Sequence, residues 1–370
     1  MIREVLKGYF TSLYSPEILI LIGIAGIFFF QNLKETSLRK MILGESEDSP
    51  LVLSFKQLLF GLFGGGIVSL IAYWLHLEFY LYSEVQLVFL LTVFVLTSLS
   101  PYINVAINIL IIFLAEILMG NSEVFMRNIL PLYLLIGIMQ LVQALILVID
   151  RNFGFTPLLF AKGKIIIGGF RMNKSYFLPT SVGFFSMSGA ILGQTIFYFL
   201  LYPMFSVKET FTGFNKKEAV YVMAGLKIIA GVLILLLGLG VSFNENLVYG
   251  LVLIGPFIIQ GEVYFFRKIE RSRQPRFVST NQDVVVLEVK RTSPAYSAGL
   301  RSGHRVSALN RKPSPTYQEL IYQVILANYP RQIDLSVKDE KNRAKTITLM
   351  IEENMNLGVL FVPPSESYGI

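Results

Sequence analysis

Cysteine is absent from this chain, and histidine and tryptophan are nearly so: 370 residues contain no cysteine, two histidines and one tryptophan. Without cysteine there is no disulfide, no thiolate nucleophile and no cysteine-based metal site. The two histidines, His76 and His304, each lack a second histidine four residues away, so the HExxH arrangement that holds zinc and activates water is excluded. No aspartate falls inside an apolar run, which removes the facing pair of an intramembrane aspartyl protease. Ser186 and Ser188 do lie in an apolar run, but the only histidine near a run is His76, at a run's end. A Walker A loop and a dinucleotide fingerprint are also missing, since Gly64-Gly65-Gly66 sits within an apolar run and not after a strand. The expectation is a protein without catalytic residues, metal or cofactor.

Charge is scarce as well. Charged residues make up 15% of the chain and hydrophobic ones 54%, whereas a soluble domain carries about a quarter charged residues. Eight apolar runs stand near 16–33, 57–75, 84–100, 103–119, 129–149, 178–203, 219–240 and 247–266. Most approach the ~20 residues that cross a hydrocarbon core of ~30 Å. The fold class expected is an α-helical polytopic membrane domain of about eight spans, because backbone groups in lipid must be satisfied within each segment. Ser100-Pro101-Tyr102 makes a tight break between the third and fourth runs. The first run follows Met1-Ile-Arg-Glu-Val-Leu-Lys with no small-residue cleavage site, and is expected to be retained as a span.

The net charge of +7 is spread over loops and tail. No dense basic stripe suggests nucleic acid, and contact with anionic lipid headgroups fits better. With eight spans the basic residues divide almost evenly between the two sides. The densest cluster beside a span, RKIERSRQPR at 267–276, points to a cytoplasmic tail.

Within the runs, ionisable residues need partners. Lys227 in the seventh run and Glu262 in the eighth flank a turn near 243–244 at similar distances, which sets them at nearly the same depth. They are expected to form an interhelical ion pair, unless Lys227 reaches out to the interface. Asn104, Asn108, Gln140, Gln143 and Gln194 either line a cavity or bond between helices, and Glu116 lies in the last turn of its run. Gly61 with Gly65, and Gly189 with Gly193, have the spacing that permits close helix approach.

After Arg276 the pattern changes. VVVLEV (284–289) reads as a buried strand. Ser293-Pro294-Ala295 makes a turn into a short helix, Gly299 and Gly303 suit positive φ, and Leu300 between them enters a core. Residues 305–310 form a second strand. Thr316 and Glu319 form a capping box opening a helix that runs to about Asn328. QIDLSVKD and AKTITLMI pair as a hairpin turning at Glu340-Lys341-Asn342, and LGVLFV (357–362) is a final short strand.

The order S-P-A-x-x-A-G-L-x-x-G-x-x-V, then strand, capped helix and hairpin, resembles a bacterial PDZ domain over about 276–363. The expected division is therefore a membrane domain (1–268), a basic juxtamembrane linker (269–276), a small α+β PDZ domain (277–363) and a short tail (364–370). Two positions depart from the PDZ pattern: His304 stands where an aspartate is usual, and Arg311 where a glycine is usual. The resemblance implies binding of an extended peptide between a strand and the capped helix. Tyr317, Ile321 and Val324 face that groove by implication, although some could equally be core. Phe277 and the Leu357-Gly358 pair are candidates for its loop.

The whole chain, with many spans, a basic segment and one terminal PDZ domain, resembles the MinJ family of cell-division topological determinants of Gram-positive bacteria. AKGKIIIGGF (161–170) and EVYFFRKIERSRQPRF (262–277) are similar to segments of that family. The resemblance implies a non-enzymatic scaffold at septum and poles that joins DivIVA to MinD and MinC. Two other readings remain open. One is a transporter with a regulatory PDZ domain, which requires a cavity around Lys227, Glu262 and the Asn and Gln residues. The other is an accessory protein of a membrane protease.

Overall fold

A computed structural model describes residues 18–44, 49–80, 82–96, 103–120, 122–163, 165–185, 196–280, 282–313, 315–325, 331–339, 341–351 and 357–364. Among the described residues its membrane part includes seven α-helices: α1 (Ile18–Leu43), α2 (Pro50–Trp74), α3 (Tyr82–Leu90), α4 (Val105–Met119), α5 (Ser122–Ile149), α6 (Lys216–Phe243) and α7 (Leu247–Arg271). Short polar side chains start them where the backbone N–H groups need acceptors. Ser49 caps α2 ahead of Pro50, Asn104 caps α4 and Asn215 caps α6. Gly120, at φ 77°, ends α4.

Among the described residues four helices, α2, α5 from Phe125 onward, α6 and α7, are long and apolar enough to cross a membrane. This corrects the expected eight. The third and fourth runs form the shorter apolar helices Ser83–Leu96 and Val105–Met119, each only about 22 Å long at 1.5 Å per residue. The sixth run, 178–203, is not a helix where it is described. It forms β4 (Thr180–Phe185) and β5 (Ile196–Leu201), with β1 (Glu78–Phe79) beside β4 in a sheet of order β1-β4-β5. A second sheet, order β2-β3-β6, joins β2 (Phe155–Lys162), β3 (Ile165–Phe177) and β6 (Met204–Phe211). Extended backbone at such a position is stable only when protein surrounds it, and Thr180 through Phe184 are all buried.

The chain passes from β3 to β4 through Leu178-Pro179, pressed against α2. A methyl group on Gly61 would stand 1.9 Å from the Phe177 carbonyl oxygen, and one on Gly65 would stand 2.0 Å from that of Pro179. The Ser181 N–H donates to Ser69 Oγ at 2.8 Å, one turn further along α2. The Gly61/Gly65 spacing therefore admits a strand, not the second helix expected. Gly189, Gly193 and Gln194 lie outside the described residues.

The carboxy-terminal module holds β7 (Val284–Val289), α8 (Pro294–Ser297), β8 (Arg305–Leu309), β9 (Lys312–Pro313), α9 (Tyr317–Leu320, widening over Ile321–Ile325), β10 (Arg331–Lys338), β11 (Ala344–Ile351) and β12 (Val359–Phe361). Its sheet has the order β11-β10-β8-β7-β12, antiparallel throughout, with β9 on β8. One face builds the module's own core from Val284, Val286, Leu300, Leu320, Leu349 and Phe361. Gly299 and Gly303 take φ of 101° and 88°. His304 closes the turn between them and β8: its Nδ1 accepts the Arg301 N–H at 3.3 Å.

The opposite face does not swing free on a linker. Val285, Leu287 and Val362 belong to the same buried cluster as Phe170 and Phe211 of the membrane part. The Gly168 N–H donates to Phe277 O at 2.8 Å. Residues 269–276, expected as a basic linker, and Arg267 just before them are pinned by their charges. Arg267 makes two 2.9 Å bonds to Glu209, and Arg273 pairs with Glu218. Glu270 Oε1 accepts the N–H groups of Thr212 and Gly213 at 2.6 and 2.9 Å. Lys216 pairs with Glu288 across the junction. A Cβ on Gly168 would meet Val362, Leu287 and Phe277 at 2.8–3.0 Å. Gly168→Val is therefore expected to pry the module off β3 and speed protease cleavage between Ser272 and Asp283; unchanged cleavage would show that this contact does not hold it.

Candidate functional site

Two places gather side chains that could bind something. The first lies between α5, α6, α7 and β6. Lys227 is 6% exposed and Glu262 5% exposed. The Lys227 ammonium donates to Glu262 Oε2 at 2.8 Å, to Gln143 Oε1 at 2.9 Å and to Gln140 Oε1 at 3.0 Å. All three of its N–H bonds are thereby used. The two glutamines, three residues apart on α5, share one face because i and i+3 neighbour each other on a helix. Glu262 Oε1 is buried and has no hydrogen-bond partner among the described residues.

A cavity of about 90 Å³ adjoins this cluster, lined also by Asn104, Met139, Phe205, Lys208, Glu209 and Gln260. Much of its polar rim is already engaged. Lys208 donates to Leu96 O at 2.8 Å, Glu209 is held by Arg267, and Asn104 caps α4. Asn108 turns away from the cavity and donates to Val88 O at 3.0 Å. The residues from β6 were not legible as site residues, since the run preceding them reads as a helix. The two glutamines could be found from their spacing alone.

The second place is the edge of the module's sheet. Leu357, Val359 and Phe361 enter the module core, and Tyr317 and Ile321 of the α9 segment pack at its margin, half-buried. The Val324 side chain lies outside the described residues. Gly358 takes φ 61°, and its carbonyl accepts the Lys290 N–H at 2.8 Å. The Val362 N–H donates to Val285 O at 2.9 Å. In an antiparallel ladder successive residues bond to opposite sides. Gly358, Leu360 and Val362 therefore turn toward β7, and the N–H and C=O of Val359 and Phe361 turn outward. No strand pairs with that outer edge among the described residues; α1 passes alongside.

The capping box of α9 is complete, with Thr316 Oγ1 accepting the Glu319 N–H at 3.1 Å and Glu319 Oε2 accepting the Thr316 N–H at 3.1 Å. The Lys312 ammonium and the Thr316 N–H hold the Glu319 carboxyl below the usual carboxylate range. This contribution to α9 is present at neutral pH and is lost as the pH falls through the lowered value.

Of the expected groove residues, Phe277 is misplaced. It is 1% exposed and stacks edge-on against Phe170 with ring centres 5.4 Å apart, so it belongs to the junction with the membrane part. The reason is the fixed course of residues 267–276, which delivers Phe277 to Gly168 and not to the β12 edge.

The chain matches no family model, no curated protein and no solved structure.

Proposed function

We propose that this protein is a multi-pass membrane scaffold whose carboxy-terminal module, PDZ-like in its order of elements, captures an extended segment of a partner protein by strand addition to β12. One observation carries the reading. The backbone groups of Val359 and Phe361 face a sheet edge that no strand pairs with among the described residues, at the margin of a core shared with the capped helix α9. Strand addition draws affinity from such main-chain groups and specificity from alternate side chains. A partner set like that of the MinJ family fits this role. Uniform membrane fluorescence of a tagged chain in dividing cells, without septal or polar enrichment, contradicts that part of the reading.

The test uses peptides selected from a random library on the full chain in lipid nanodiscs. N-methylation of every second residue of a selected peptide is expected to abolish binding in one frame and spare it in the other, because only alternate N–H groups reach β12. Equal tolerance in both frames rules out strand addition.

The module faces the cytoplasm in this reading. Arg39, Lys56, Arg151, Arg171, Lys216 and Arg273 gather at the end of the bundle that carries the module, through contacts with Thr156, Phe153, Tyr221, Glu35, Glu288 and Glu218. At the other end the turns following α2, α4 and α6 are without Lys or Arg, and Arg127 stands in the first turns of α5 beside Tyr80. Among the described residues, four spans in place of eight thus turn an even division into a marked one, with the basic end inside. The absence of native cysteine allows a direct check. A membrane-impermeant maleimide on intact cells is expected to label Glu245→Cys and to spare Lys341→Cys; the reverse pattern inverts the orientation.

A further inference from the structure

We propose that the cavity beside Lys227 is a binding site for a small polar molecule that carries both a hydrogen-bond donor and an acceptor, the class of small amides and zwitterionic amino acids. The argument is a count of free groups. An ammonium can only donate, so Gln140 and Gln143 must turn their Oε1 atoms toward Lys227. Their Nε2 groups are thereby directed elsewhere, and neither has a partner among the described residues. Glu262 gives Oε2 to Lys227 and keeps Oε1 buried and unpartnered. All three residues line the cavity.

The free groups are thus two amide donors and one carboxylate acceptor, around a space of about 90 Å³, several times the ~10–15 Å³ that a single water needs. Glu262 Oε1 is the one of the three that is buried without a partner among the described residues. Buried polar atoms are nearly always satisfied, and a molecule that donates to it while accepting from the glutamines serves all three groups at once. An anion would face Glu262 and a cation would face Lys227. Paired donor and acceptor groups avoid both repulsions. The apolar wall of Met139, Met204 and Phe205 limits the ligand to one small polar end. The inference does not depend on peptide capture by the module.

The test is equilibrium binding of radiolabelled glycine and acetamide to the full chain in nanodiscs, with acetate and methylammonium as competitors. Saturable binding of at least one probe is expected, with little competition from either single-function ion. Gln143→Met, and separately Gln140→Met, each remove one neutral hydrogen bond and are expected to weaken binding about three- to tenfold. The proposal is overturned if neither probe binds more tightly than about 10 mM, or if acetate or methylammonium competes as well as the probes. It is also overturned if both variants, folded by size and melting temperature, bind as the parent does. The wild-type competition stands whether or not the variants fold.

Discussion

Lys227→Met is expected to destabilise the membrane domain by about 3–5 kcal/mol, the cost of removing one partner from a buried ion pair. The loss is large because the ammonium serves three oxygens at once, on Gln140, Gln143 and Glu262. All three residues are under a tenth exposed, so water reaches them only through the adjoining cavity and replaces little of what is lost. Glu262→Leu alone is expected to cost a similar amount, by leaving the ammonium without its counter-charge. The double variant Lys227→Met/Glu262→Leu removes both charges and should recover most of the stability, since apolar replacements of buried pairs are often close to neutral. Reversible unfolding in mixed micelles gives the coupling energy of the cycle. Additive single effects would mean that the two charges do not interact in the folded protein.

Gly65→Ala is the second change with a large expected effect. The new methyl would stand 2.0 Å from the Pro179 carbonyl oxygen, a backbone atom that cannot step aside by changing rotamer. That backbone is held on both sides, by the Leu178 N–H to Pro203 O at 2.9 Å and by Ser181 to Ser69 at 2.8 Å. Overpacking of this kind costs about 1–3 kcal/mol, occasionally more. Gly66→Ala is the control. Nothing stands within 4 Å of its added methyl, so the ~1 kcal/mol advantage of alanine over glycine in a helix should make it neutral or stabilising. Unfolding midpoints of the two variants separate the cases. Equal midpoints would mean that the β3–β4 passage does not press on α2.

The contrast between the two halves of the chain follows from how local their signals are. In the module, the Thr316/Glu319 capping box, the positive-φ glycines at 299 and 303, and the alternation through 331–351 each act within a few residues. Its elements were legible for that reason. The role of His304 was not, because its acceptance of the Arg301 N–H shows only in the folded turn. In the membrane part, apolarity marks burial and does not distinguish a helix from a buried strand. Residues 178–203 met the length of a span, and the better signals were Pro179, Pro203 and the β-branched and aromatic residues between them. Misreading that run hid β6, and with it the Lys208 and Glu209 wall of the cavity. The Lys227–Glu262 contact was legible because two long helices joined by a short turn fix relative depth by arithmetic alone.

The β12 edge is tested most directly by residue-resolved amide hydrogen exchange on the full chain in nanodiscs. Without peptide, the Val359 and Phe361 N–H groups should exchange fast, while those of Leu360 and Val362, bonded to β7, are protected. A peptide selected on the full chain should slow Val359 and Phe361 and leave the other two unchanged. Protection of Val359 and Phe361 that no bound peptide alters would contradict strand addition at β12 and the scaffold function built on it.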